Sequence, residues 1–168
     1  MVKGHILKDK IYTVAFTGHR QMNREDVLLM PSLLEKVILK LSERGAVVFR
    51  AGGAMGFDTL AALKVLDMRE RLPKLELELV LPCKNQTDKW DAASVRTYNY
   101  ILNNANRHSF LYDTYVDGCM LARDRKLIDG ADVCVAYCTK STGGTAYTCA
   151  YALKSGLELI NLYDLLHP

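Results

Sequence analysis

The chain has 168 residues, 49% of them hydrophobic and 24% charged, which is long enough for one good core and short for two. That balance excludes intrinsic disorder, a collagen-like chain and a coiled coil. Twenty-two Lys and Arg against 19 Asp and Glu leave a net charge of +3, too little to argue for nucleic acid.

No apolar run approaches the roughly 18–20 residues of a membrane span, and Met1-Val2-Lys3-Gly4-His5 lacks the pattern of a signal peptide. A cytoplasmic protein is the expectation, with no membrane partner. The five cysteines have no CxxC pair and read as free thiols in a reducing compartment, with no metal site.

Apolar periodicity switches repeatedly between strand and helix. Residues 11–17 read as a buried strand. A polar loop follows, then a helix with Pro31 in its first turn, a stripe of Leu33, Leu34, Val37, Ile38 and Leu41, and Gly45 as its cap. Residues 46–50 form a second strand, followed by Gly52-Gly53-Ala54-Met55-Gly56 and a helix over 57–71 that ends before Pro73. Residues 75–81 form a third strand. The next helix is expected over 86–104, with Trp90 on it as a core anchor, or alternatively as a platform for a stacked base. A fourth strand (108–112), a helix (117–129), a fifth strand (132–137), a helix opened by Gly143-Gly144 and a last strand (157–163) complete the pattern. There is no repeat or linker, so residues 1–168 form one domain. Most strands are apolar on both faces, which predicts an α/β, Rossmann-like, doubly wound, mostly parallel sheet with helices on both faces.

Ligands in such sheets bind beyond the carboxyl ends of the strands. Gly18 follows the first strand, Gly52, Gly53 and Gly56 follow the second, and Gly143 and Gly144 follow the fifth. Glycine lets backbone N–H groups approach a guest, and a helix N-terminus adds roughly half a positive charge, a combination suited to phosphate. Thr145 adds a hydroxyl donor or an N-cap. His19-Arg20 follows Gly18, and Arg suits bidentate phosphate contact. Asp58 lies in the first turn of its helix, either complementing the dipole or holding ribose hydroxyls. Asp124 falls in an apolar stripe beside Arg123, where an acid needs a partner; a hydrogen bond to a loop comes first, a ligand contact second. Neither the dinucleotide fingerprint nor a P-loop is present. His5, His108 and His167 have no evident partners, and turn chemistry accounts for Asp129 and Asp132.

Phe16-Thr17-Gly18-His19-Arg20, the run from Gly52-Gly53-Ala54-Met55-Gly56 to Ala62, and Leu81-Pro82-Cys83 resemble the YpsA-like branch of the SLOG superfamily, as do Gln86 with Lys89-Trp90, Met120 with Arg123-Asp124, and Gly143-Gly144-Thr145-Ala146. The resemblance covers nearly the whole chain and keeps the motif order. It implies a Rossmann-like fold of bacteria and their phages that binds nucleotides or their derivatives, ADP-ribose and NAD-like molecules foremost. The ligand residues it implies begin with Thr17, Gly18, His19 and Arg20. Gly52, Gly53, Ala54, Gly56 and Asp58 follow, then Arg123, Gly143, Gly144 and Thr145. No cofactor is required beyond a bound nucleotide derivative, and LOG-type relatives imply a homodimer by analogy.

The LOG-type motif Pro-Gly-Gly-x-Gly-Thr-x-x-Glu has no acid at its last position in Thr142-Gly143-Gly144-Thr145-Ala146-Tyr147-Thr148-Cys149-Ala150, so hydrolysis by that mechanism loses its catalytic group. The leading expectation is therefore a cytosolic binder of a phosphorylated nucleotide derivative. A nucleotide hydrolase using Asp58 or Asp124 as its acid is second. DprA-like single-stranded DNA binding is third, with the weak charge against it. Gly53→Val is expected to fill the pocket with less effect on the fold.

Overall fold

The structure, a computed structural model, describes residues 11–168; His5 and the N-terminal stretch read for a leader lie outside the described residues. Strands and helices alternate: β1 (Thr13–Gly18), α1 (Arg24–Glu43), β2 (Val48–Ala51), α2 (Phe57–Arg69), β3 (Glu76–Cys83), α3 (Ala92–Asn104), β4 (Arg107–Tyr112), α4 (Cys119–Ile128), β5 (Val133–Tyr137), α5 (Gly144–Lys154), β6 (Glu158–Asn161) and α6 (Leu162–Leu166). The sheet runs β4-β3-β2-β1-β5-β6, and every neighbouring pair is parallel.

Helices α1, α2, α3 and α6 cover one face and α4 with α5 the other. The larger core, under the first group, joins Phe16, Phe49, Phe57, Leu77 and Tyr137; the smaller joins Ala15, Leu127, Cys134 and Ala152. β1 and β5 are buried on both faces for this reason. Glu76 and Glu78 mark the more open side of β3, where they pair with Arg107, and Glu78 also with Arg50 at 2.8 Å.

Four local expectations are corrected. Pro31 lies inside α1 rather than in its first turn, because Asn23 accepts the Glu25 N–H at 3.0 Å and starts the helix earlier. The ring nitrogen of Pro31 has no hydrogen to donate to the Val27 carbonyl. The third helix begins at Ala92, not 86, because Asp91 accepts the Ser94 N–H at 3.1 Å and caps it there. Trp90 therefore stands in the turns before α3, edge-on to Tyr98 at 5.6 Å. The last strand stops at Asn161, whose side chain accepts from the N–H of Cys138 and of Tyr163 and so opens α6.

Candidate anion site at the carboxyl edge of the sheet

Strands β1 to β4 build outward in one direction, and the chain then returns to place β5 on the other side of β1. The strand order thus reverses between β1 and β5, and their carboxyl ends part the following loops to opposite faces, leaving a crevice. Gly18 and Tyr137 are register partners at that point. A cavity of about 420 Å³ opens there, within the range of small-molecule sites.

Four chain segments line it. Thr17, Gly18, His19 and Arg20 come from the end of β1 and its loop; Lys140, Thr142, Gly143, Gly144 and Thr145 come from the β5–α5 loop; Met120, Arg123, Asp124 and Leu127 come from α4. Ala54 and Asp58 close the side toward α2. The two principal loops are tied together, since the Thr139 N–H donates to His19 Nε2 at 2.9 Å. That bond places the proton of a neutral ring on Nδ1. Burial lowers the His19 pKa, and the Lys140 charge lowers it further.

No side chain caps α5, so the N–H groups of its first turn, at Gly144 and Thr145, have no intrahelical acceptor. Gly143 precedes them at φ +97°, in the left-handed region. Arg20 and Lys140 are held in no salt bridge to a described residue. The cavity thus combines an open helix N-terminus with two uncommitted cations, which together attract anions.

Below them lies a buried charge cluster. Arg123 donates from Nε to Asp124 at 2.8 Å and from Nη1 to the Gly52 carbonyl. It is Arg123, rather than Asp124, that reaches the loop. Asp58 accepts the Ala54 N–H at 3.2 Å. Burial pushes the Asp58 carboxyl up to about 6, against the pull of Arg123 and Ala54, and Asp124 adds to the rise. One guanidinium here faces two carboxylates.

The glycines after β2 are placed differently from Gly143 and Gly144, while Gly18 lines the cavity and also packs on Phe57, 2.4 Å from where its Cβ would stand. None of Gly52, Gly53 and Gly56 lines this cavity. A Cβ at Gly52 would stand 2.5 Å from Arg123 Nη1, one at Gly53 2.4 Å from Leu81 Cδ2, and one at Gly56 2.2 Å from the Arg20 carbonyl oxygen. These glycines let distant chain segments pack. Gly53→Val therefore strikes the core at Leu81 before it reaches the pocket, a correction to the expected mild effect on the fold. The Phe57 N–H at the start of α2 is also taken, by the His19 carbonyl at 3.1 Å.

Lys140 and Thr142 were not singled out by sequence. Their one signal was position, within the four residues that precede Gly144 after a buried strand. His167 does have a partner: its Nε2 lies 2.9 Å from Asp26 Oδ1, while the Tyr137 hydroxyl donates to Asp26 Oδ2 at 2.6 Å. Asp132 accepts the Thr13 N–H, and Asp129 accepts the Tyr151 hydroxyl. Among the described residues no group of three or more His, Cys, Asp or Glu is placed to hold a metal, and no helix is long and apolar enough to cross a membrane.

The parallel sheet, its reversal point and the glycine loop at the start of α5 define a Rossmann-like α/β protein. Residues 14–164 match the family model YpsA, the YspA SLOG family, and the chain belongs to that family. A UPF0398 protein of Brevibacillus brevis is 26% identical over 155 residues, covering 87% of this chain and 76% of the relative. One from Listeria monocytogenes is 23% identical over 171 residues, covering 91% and 93%.

Two solved structures share the fold. DNA processing protein A (DprA) of Streptococcus pneumoniae superposes with a TM-score of 0.65 at 23% identity, and DprA of Helicobacter pylori, described in a single-stranded DNA binding mode, with 0.66 at 23%. The matches cover 89% and 90% of this chain but only 50% and 65% of those longer chains. Family and fold together are those of a Rossmann-like SLOG domain.

Proposed function

We propose that the chain binds a phosphorylated nucleotide derivative, of the ADP-ribose or NAD-like kind, with a phosphate seated between the first turn of α5 and the side chains of Arg20 and Lys140. One observation carries this reading: an uncapped helix N-terminus and two cations outside any described salt bridge meet in one cavity at the strand-order reversal. The five free cysteines fit a reducing compartment such as the cytosol. Thermal shift and calorimetry against ADP-ribose, NAD, AMP and cyclic nucleotides test it. Stabilisation by at least one of them is expected; none across the panel overturns the reading.

The buried Asp58 carboxyl, raised to about 6 at the cavity wall, supports a second reading, a hydrolase of a nucleotide's glycosidic or phosphate bond with Asp58 as general acid. Chromatography for released base or phosphate tests it, with loss of turnover in Asp58→Asn as the expected result. Single-stranded nucleic acid is a third partner to test rather than one to dismiss on net charge, since a DprA of this fold has a single-stranded DNA binding mode. Retardation in a low-salt gel shift supports it, and free migration removes it.

A further inference from the structure

The β5–α5 loop borders another cavity, an open groove of about 510 Å³ that shares only Lys140 with the anion site. Cys138, Cys149 and Asn161 are among its walls. Cys138 directly follows β5 and Cys149 lies on α5, so the two thiols bracket residues 139–148, the stretch that carries Lys140, Thr142, Gly143 and Gly144. Both pack on the smaller core, beside Cys134. The Cys149 sulfur lies within interaction range of the Cys138 sulfur, and this neighbour adds to burial in raising the Cys149 pKa to about 12.

The thiols differ in what can reach them. Cys83, Cys119, Cys134 and Cys149 are buried, and of the five cysteines Cys138 alone is partly exposed. Its backbone is held firmly: the Cys138 N–H donates to Asn161 Oδ1 at 3.1 Å, and its carbonyl accepts from Asn161 Nδ2 at 2.9 Å. Its thiol donates to the Lys140 carbonyl at 3.2 Å. Cys138 is thus an accessible thiol on a fixed support, with a second thiol behind it. Thiol oxidation follows exposure and thiolate character, and a resolving thiol nearby turns the first oxidation product into a reversible disulfide.

We infer that Cys138 and Cys149 form a redox-active dithiol that a small hydroperoxide converts to a disulfide, releasing the Lys140 segment from the Cys138 thiol. The Cys138 thiolate attacks one peroxide oxygen, and the O–O bond breaks. Cys138 becomes a sulfenic acid, and the other oxygen takes up the thiol proton and leaves as water or an alcohol. The Cys149 sulfur then attacks the sulfenic sulfur, whose S–O bond breaks, and the departing hydroxide takes the Cys149 proton and leaves as water. Two thiols are oxidised and one peroxide is reduced. Neither sulfur keeps a hydrogen, so the bond from Cys138 to the Lys140 carbonyl is lost. Burial keeps Cys149 protonated, which gives the first step to Cys138 and the second to Cys149. A transient disulfide of this kind suits a reducing compartment.

The test treats the reduced full chain with hydrogen peroxide, alkylates the remaining thiols and maps the peptides by mass spectrometry. The expected product is a Cys138–Cys149 linked pair, two hydrogens lighter and reversed by dithiothreitol. Cys149→Ser is expected to accumulate the Cys138 sulfenic acid, trapped with dimedone. Cys138→Ser, which keeps a hydroxyl to donate to Lys140, is expected to leave Cys149 unoxidised. In the wild type, oxidation is expected to speed tryptic cleavage after Lys140. Oxidation of Cys138 to sulfinic acid without a link to Cys149, or oxidation of the buried cysteines ahead of Cys138, overturns the dithiol. A linked protein that trypsin cuts after Lys140 at the reduced rate overturns the effect on the loop. None of these readouts uses a nucleotide, so the inference is decided separately from the phosphate reading.

Discussion

Arg123 donates through Nη1 to the Gly52 carbonyl, 71 residues away in sequence, and its guanidinium fills the space that a side chain at position 52 would need. The contact joins α4 to the loop after β2 and holds Arg123 where its Nε meets Asp124. Gly52→Ala puts a Cβ 2.5 Å from Nη1 and 3.0 Å from Asp58 Oδ2, so the guanidinium must shift and leave a buried acceptor behind. The variant is expected to lose about 1–3 kcal/mol of stability, read as a lower urea midpoint. Affinity for the best ligand of the nucleotide panel should fall as well, because Arg123 and Asp124 form the cavity floor.

On the proposed phosphate reading, Arg20 and Lys140 are expected to act on ligand rather than on folding. Arg20 is exposed and Lys140 lies on a loop, so removing either leaves the core intact. Arg20→Ala is expected to weaken nucleotide binding by about 1.5–3 kcal/mol, the size of a charge-assisted hydrogen bond, with the melting temperature unchanged. Lys140→Ala should weaken it in the same direction. Calorimetry checks both, and wild-type affinity in the two variants contradicts the phosphate position.

The Asp58 carboxyl gives a stability signature with a definite sign. Its folded pKa of about 6 stands above the unfolded 3.8, so the folded state binds the proton more tightly. Stability falls as pH rises through that window, and the cost is complete above it. Asp58→Asn removes the ionisation and keeps an acceptor for the Ala54 N–H. The variant is expected to be more stable than the wild type at pH 8 by about 1–3 kcal/mol, with the difference shrinking toward pH 4. Urea melts across that range check it.

Asp26 titrates in the opposite sense. Burial raises its pKa, but the hydrogen bonds from Tyr137 and His167, with the His167 charge, outweigh burial and leave it below the usual 3.8. Its contribution is therefore present above about pH 4 and is lost as pH falls through the folded value. Asp26→Ala is expected to cost about 1–3 kcal/mol at neutral pH, because it strands the buried Tyr137 hydroxyl. Asp26→Asn should resemble the wild type more closely below pH 4 than at pH 7. Thermal melts at several pH values check both variants.

The alternation of periods along the chain set the class of sheet and its carboxyl-edge loops. Short β-branched apolar runs such as Val133–Tyr137 read as strands covered on both faces, and right-handed crossovers then put every strand-to-helix loop on one edge. Gly18, Gly143 and Gly144 were thus legible as cavity residues, and the motif order pointed to the family. Helix starts were legible only in part. Asn23 and Asp91 are ordinary cap residues, but Pro31 and the run from Gln86 offered competing local signals, and the hydrogen bond that decided each is local geometry that no periodicity records.

The order of apolar and polar residues determined that this chain would form a parallel, helix-covered sheet with glycine-rich loops at one rim, because burial on a given period is a property of short stretches. Only the tertiary structure decided which glycines face a guest and which face the protein. Gly52 yields to Arg123, Gly53 to Leu81 and Gly56 to the Arg20 backbone, all groups brought there from elsewhere in the chain. It likewise decided that His167 meets Asp26, and that the Gln86 amide is buried without a partner. The space beside a Cα, and the satisfaction of a buried polar atom, depend on elements whose meeting is settled by packing and not by their own sequence.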